Sequence, residues 1–163
     1  RNRTIIEMLY MTGIRRAELT EIRYEDVSLF DATVRVTGKR NKQRIIPLSQ
    51  LFVTRLREYI GARNKIVSDT AGSWFFITDK GNKLYDKYVY NIVKAYLSMV
   101  TTIEKKSPHV LRHTFATHML NRGADLNAIK EFLGHANLSA TQIYTHNTFE
   151  KLKRIHKKAH PRA

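Results

Sequence analysis

Apolar residues recur along this chain at two different spacings. Ile5, Met8 and Leu9 fall on one helical face, with Asn2 placed as a cap and Gly13 as a stop, which predicts a helix to Thr12. A second short helix is expected over 16–22. The period then changes. Thr33–Thr37 alternates β-branched residues with Arg35, and Gln43–Pro47 reads as its hairpin partner across Gly38-Lys39-Arg40-Asn41-Lys42. Ser49 caps a predicted long helix carrying Phe52, Leu56, Tyr59 and Ile60. The apolar run at 74–77 reads as a third strand, closed by the turn Asp79-Lys80-Gly81-Asn82.

The second half returns to helical spacing. Val89, Ile92, Val93, Tyr96, Leu97 and Val100 share one face. Ser107-Pro108 puts a cap before a proline at the first helical position, and Gly123 ends that helix. Asp125 caps the next, which carries Ile129, Phe132 and Leu133 and stops at Gly134. Ser139 caps a short predicted helix holding Tyr144, and Thr148 a last one holding Leu152 and Ile155. The expected fold is mainly α with a small three-stranded antiparallel β-sheet at one edge. Its length suits one domain, residues 1–163. No repeat, linker or low-complexity stretch divides it.

Charge changes the picture. Lys and Arg number 29 against 14 Asp and Glu, a net charge of +15. Such a balance points to a phosphate backbone, and so to a nucleic acid, as partner; a ribosome-like basic protein or mere solubility charge are the other readings. The absence of cysteine excludes disulfides, thiolate metal sites and thiol nucleophiles. No apolar stretch approaches the length of a membrane span, and the chain opens on no signal-peptide pattern, so it reads as soluble and intracellular. It begins only about a turn before a helical pattern, which suggests an upstream domain.

Cutting a DNA phosphodiester without a metal needs a nucleophile, cations on the non-bridging oxygens and a proton donor for the leaving oxygen. Arginine suits the oxygens, because its fork matches them bidentately. Arg15 stands at a loop-to-helix junction, with Glu18 three residues on to orient it. Lys39 lies in the hairpin turn. His109 and Arg112 share a helical face, pairing a proton-transfer group with a permanent cation. His109 and His113 have a metal-ligand spacing, but no acidic third ligand stands beside them, and no metal site is expected. Leu133-Gly134-His135 ends a helix, with Tyr144 in the segment that follows. A free phenol, with a pKa of about 10, is a weak nucleophile and needs cations around it. Each of these residues alone also suits a plain surface or core role.

Together they resemble a family. The run Ser107-Pro108-His109-Val110-Leu111-Arg112-His113-Thr114-Phe115-Ala116-Thr117-His118 is similar to the His-x-x-Arg box of the tyrosine site-specific recombinases. Leu133-Gly134-His135 followed by Thr141-Gln142-Ile143-Tyr144-Thr145-His146 resembles their nucleophile box. Thr12-Gly13-Ile14-Arg15 resembles the box of their first arginine, and Gly38-Lys39 the hairpin of their catalytic lysine. The match runs in order over almost the whole chain. Within the family the chain is most similar to the Xer recombinases, and the tail His160-Pro161-Arg162-Ala163 resembles the D type.

The resemblance implies the family's catalytic-domain fold and a set of roles. Tyr144 attacks phosphorus and forms a 3′-phosphotyrosine. Arg15 and Arg112 hold the non-bridging oxygens, Lys39 protonates the 5′ leaving oxygen, His109 assists proton transfer at Tyr144, and His135 donates a hydrogen bond to the phosphate. No cofactor, metal ion or ATP is implied. Also implied are double-stranded DNA as partner, a homo- or hetero-tetramer on two DNA sites, a DNA translocase as a further partner, chromosome dimer resolution, and a place at the nucleoid in the cytoplasm of a bacterial or archaeal cell. The family's N-terminal core-binding domain has no counterpart in this sequence. One departure is Arg40, where the family often has glycine after the lysine. The resemblance also tips the stripe of Leu152 and Ile155 towards docking on a neighbouring protomer rather than on its own domain. Rival readings are a mobile-element integrase with the same chemistry, and a non-catalytic DNA-binding protein with a helix-turn-helix over 125–144.

Overall fold

The computed structural model describes residues 1–68, 72–134 and 146–162. Its elements run α1 (Asn2–Thr12), α2 (Arg16–Thr20), β1 (Val27–Ser28), β2 (Thr33–Thr37), β3 (Gln43–Pro47), α3 (Gln50–Arg63), α4 (Asp86–Val100), α5 (Pro108–Asn121), α6 (Leu126–Leu133) and α7 (His146–Ala159). The fold is therefore mostly helical, with a three-stranded antiparallel sheet in the order β1-β2-β3. The expected helix boundaries hold where a cap is local. Ser49 accepts a hydrogen bond from the Phe52 amide, and Asp125 accepts from the amides of Asn127 and Ala128. Asn2 is the first helical residue rather than the cap, a place taken by Arg1.

The third strand is not where the sequence reading put it. Val27 and Ser28 pair with Val34 and Thr33. Residues 74–77 contribute only single bridges, Trp74 to Arg23 and Ile77 to Lys83. The physical reason is burial on both sides: Phe75, Phe76 and Ile77 are consecutive and all enclosed. Side chains satisfy part of this backbone in place of a ladder. The Tyr59 hydroxyl donates to the Phe75 carbonyl and accepts from the Ile77 amide, while Arg63 donates to the carbonyls of Trp74 and Phe75.

The core gathers around α1, whose Ile5, Met8 and Leu9 are fully enclosed. Val53 and Leu56 of α3, Val89 and Val93 of α4, Phe115 and Met119 of α5, and Phe132 of α6 complete it. The turn after α1 is tight. Gly13 has φ +62°, and a Cβ there would lie 2.5 Å from the Phe115 ring.

The last helix corrects a second expectation. It begins at His146, so Thr148 stands inside its first turn rather than capping it. It also packs on its own domain. Leu152, His156, Ala159 and the following His160 are all buried, and Ile155 is partly so. The buried stripe is broad because two of its members are histidines, stacked with ring centres 5.0 Å apart. The His156 Nε2 lies 3.0 Å from the Met11 carbonyl oxygen and the His160 Nε2 lies 3.3 Å from that of Tyr10, at the end of α1. The Arg162 amide donates to the His160 Nδ1, which makes Nδ1 an acceptor and leaves the proton of the neutral ring on Nε2. Burial, the neighbouring His156 and the nearby His118 and Arg122 hold the His160 imidazole down at about 4, against the Tyr10 carbonyl, which favours the charged form.

Candidate active site

Arg15 caps α2 in an extended conformation and is locked from both ends by Glu18. The Arg15 amide donates to Glu18 Oε2 at 2.8 Å, and Arg15 Nη1 donates to Oε1 at 3.0 Å. This is the orienting contact that the three-residue spacing predicted. Arg15 Nη1 also reaches the carbonyl oxygen of Leu133, the last residue of α6, at 3.4 Å. Arg112 comes to the same oxygen from α5, with Nη2 at 2.8 Å, while its Nη1 donates to the carbonyl of Gly13. Two arginines far apart in sequence thus meet on one backbone oxygen. The meeting is costly for Arg112. Its burial first, and the adjacent charges of Arg15 and Arg44 next, pull it down to about 10, with Glu18 acting the other way. That value still leaves it charged at neutral pH.

A third arginine completes the cluster, and the sequence reading missed it. Arg44 on β3 is only 6% exposed. Its Nη1 and Nη2 donate to the two Glu18 oxygens at 3.0 and 2.8 Å, and its Nε donates to the Phe132 carbonyl at 2.8 Å. Burial pushes the Glu18 carboxyl up. The hydrogen bonds and charge of Arg44, with those of Arg15, more than reverse this and leave it below the usual carboxylate range. The signal was present in the strand pattern. Arg44 shares the inward face with Ile46, while Gln43 and Ile45 face out, and a cation on an inward face requires a partner.

The other site residues divide. Lys39 is exposed in the hairpin between β2 and β3, the same strand that carries Arg44. Arg40 and Asn41 beside it take left-handed conformations, with φ 59° and 57°. His109 is exposed in the first turn of α5, three residues before Arg112. His135 and Tyr144 lie outside the described residues, as does the cap at Ser139. Of the proposed helix-turn-helix over 125–144, α6 is described, and its Ala128, Ile129, Phe132 and Leu133 are buried. Among the described residues no cluster of three acidic or histidine groups gathers in a metal-binding arrangement.

This arrangement can hold a phosphate. Two guanidiniums are fixed side by side and braced by a buried carboxylate, with a lysine and a histidine on adjoining elements. Comparison with known proteins shows the family. The profile of the phage integrase family matches residues 1–151. The tyrosine recombinase XerC of Chlorobaculum tepidum is 46% identical over 168 residues, covering 100% of this chain and 50% of the relative. The tyrosine recombinase XerD of Staphylococcus saprophyticus is 39% identical over 164 residues, covering 100% of this chain and 56% of that one. The chain therefore spans about half the length of these curated relatives. Relatives of both names match, with the C-named one the more similar of these two, so the identities lend no support to the D-type reading of the tail. The crystal structure of a XerH site-specific recombinase bound to difH substrate, a pre-cleavage complex, superposes with a TM-score of 0.74 at 28% identity, over 96% of this chain and 42% of that one. The chain belongs to the phage integrase family, the tyrosine recombinases.

Proposed function

We propose that this chain carries out the chemistry of site-specific DNA recombination, cutting and rejoining strands through a 3′-phosphotyrosine at Tyr144. The observation that supports it most is the convergence of Arg15 and Arg112 on the Leu133 carbonyl. In the reaction, the Tyr144 oxygen attacks phosphorus and the bond from phosphorus to the 5′ oxygen breaks. Arg15 and Arg112 neutralise the non-bridging oxygens, where charge is hardest to bear in the transition state. Lys39 gives a proton to the departing 5′ oxygen. His109 assists the proton transfer at Tyr144, and His135 donates a hydrogen bond to the phosphate. A 5′-hydroxyl from another strand then attacks the phosphotyrosine and reverses the step. One ester is exchanged for another, so neither ATP nor a metal ion is required.

The Xer-named relatives support a Xer-type role in resolving chromosome dimers. On this reading residues 1–163 form the catalytic domain and work with the family's core-binding domain as a clamp on duplex DNA. Four protomers, of one recombinase or two, act on paired sites in the cytoplasm at the nucleoid, with a DNA translocase as a further partner. No membrane partner is involved, and among the described residues no helix is long and apolar enough to cross a membrane.

The test is a nicked duplex carrying the recombination site, which traps the covalent adduct. Tyr144→Phe loses only the hydroxyl. It is expected to bind the duplex as well as the parent and to form no denaturant-resistant adduct, and the parent to form it in excess chelator. A full-strength adduct from the variant, or a parental reaction abolished by chelator and restored by Mg²⁺, overturns the proposal.

A further inference from the structure

Arg44 occupies an unusual position for a residue with no assigned role. Its three nitrogens meet two partners that both border the arginine pair. Through Glu18 it touches the carboxylate that locks Arg15 from side chain and backbone. Through Nε it holds the Phe132 carbonyl, one residue before the oxygen shared by Arg15 and Arg112. Gly134 closes against it with φ +62°, where a Cβ would sit 3.0 Å from Arg44 Nη1 and 3.2 Å from Cζ. The same side chain therefore sets the floor under Gly134, the left-handed residue that ends α6. Only a planar guanidinium reaches all three acceptor oxygens at once; a lysine ammonium has no such fork.

We propose that Arg44 is a positioning residue for the phosphate clamp, acting through Glu18 on Arg15 and through the end of α6 on the oxygen that aligns Arg15 with Arg112. The proposal rests on the recombinase reading above. Without Arg44, Glu18 keeps only its contacts with Arg15 and is less firmly held, and the end of α6 loses one anchor. Arg15 then keeps its charge but not its direction, and direction is what serves a transition state.

The competing explanation is that Arg44 merely stabilises the fold, as many buried ion pairs do. The two separate on the charge of the scissile phosphate. Arg44→Met and Arg44→Lys are compared with the parent, in the protein at its full natural length, on two nicked duplexes. One carries an ordinary scissile phosphodiester. The other carries a methylphosphonate there, in which a methyl replaces one non-bridging oxygen and removes the negative charge that the clamp serves. On the phosphodiester, Arg44→Met is expected to slow single-turnover cleavage about 100-fold, the scale of losing one preorganised donor, with duplex affinity unchanged. On the methylphosphonate most of that loss is expected to vanish. An equal loss on both duplexes, or no loss on the phosphodiester, overturns the positioning role. If Arg44→Met fails to fold by circular dichroism, Arg44→Lys retains the charge and carries the same comparison.

A readout independent of cleavage separates this proposal from the one it rests on. The Nε–H resonances of Arg15 and Arg112 are followed by NMR during titration with inorganic phosphate. Saturable shifts are expected in the parent, and affinity about tenfold weaker in Arg44→Lys. Weakened phosphate binding with no parental cleavage of any DNA sinks the recombinase reading and leaves the positioning role standing. Unchanged phosphate binding at Arg15 in the variant sinks the positioning role.

Discussion

Acid should loosen the tail helix, and the structure sets the scale. His160 is 2% exposed, with Nδ1 accepting from the Arg162 amide and Nε2 directed at the Tyr10 carbonyl. A second proton must go on Nδ1, which breaks the Arg162 bond and places charge against buried His156. Folding lowers the imidazole from 6.5 to about 4. As pH falls, the unfolded chain therefore takes up the proton first. The stability is fully present above the unfolded value and is lost as pH drops towards the folded one. For this one group the loss is about 2 kcal/mol between about pH 7.5 and about pH 5, approaching about 3 kcal/mol in stronger acid. His156, also lowered by burial, adds in the same direction. His160→Gln retains a donor for the Tyr10 carbonyl but cannot titrate. Urea unfolding at the two pH values should show the parent losing about 2 kcal/mol more than the variant, whatever the variant costs at the higher pH. Equal losses in the two proteins would refute the reasoning, since the proton would then be going elsewhere.

Three shorter predictions follow from the same geometry. Gly134→Ala combines a left-handed backbone with a methyl pressed on the Arg44 guanidinium, and should cost at least ~1 kcal/mol in urea unfolding. Arg40→Gly relieves the φ of 59° beside Lys39 and should stabilise the chain by up to ~1 kcal/mol by the same assay, or prove neutral if the freer unfolded chain offsets it; a clear loss of stability would contradict the strain argument. Glu18→Gln should slow covalent adduct formation without weakening duplex binding, because it releases Arg15 and Arg44 together, and a rate equal to the parent's would show that the carboxylate does not orient the clamp.

What could be read from the sequence was local. Asp125 and Gly134 bracket α6 because a cap and a left-handed stop each act within a turn, and Arg15 with Glu18 was legible because three residues of helix bring them together. The failures were long-range. The run 74–77 has no period, and its backbone is satisfied by Tyr59 and Arg63 from α3, which no window on the run itself contains. Val27 and Ser28 are too short to display alternation. Arg44 was passed over because its partner, Glu18, lies on another element. The tail was misjudged because a stripe counted from Leu152 and Ile155 alone looks narrow, while the histidines that widen it are polar by type and buried in fact.

On the proposed function, the end of α6 bears on how the arginines would wait for a phosphate. Three guanidiniums lie on its last two carbonyls, from Phe132 and Leu133. A helix carries about half a negative charge at that end, concentrated in its unpaired carbonyls. Helix α6 is thus a resident counter-ion, sharing with Glu18 the task of keeping like charges together. An arriving phosphate does not need to assemble them against their repulsion. On the proposed function it would replace a weaker, fixed partial charge with a stronger, mobile one, and since this partial charge is at least partly buried, added salt is expected to screen incoming DNA more than it screens the clamp.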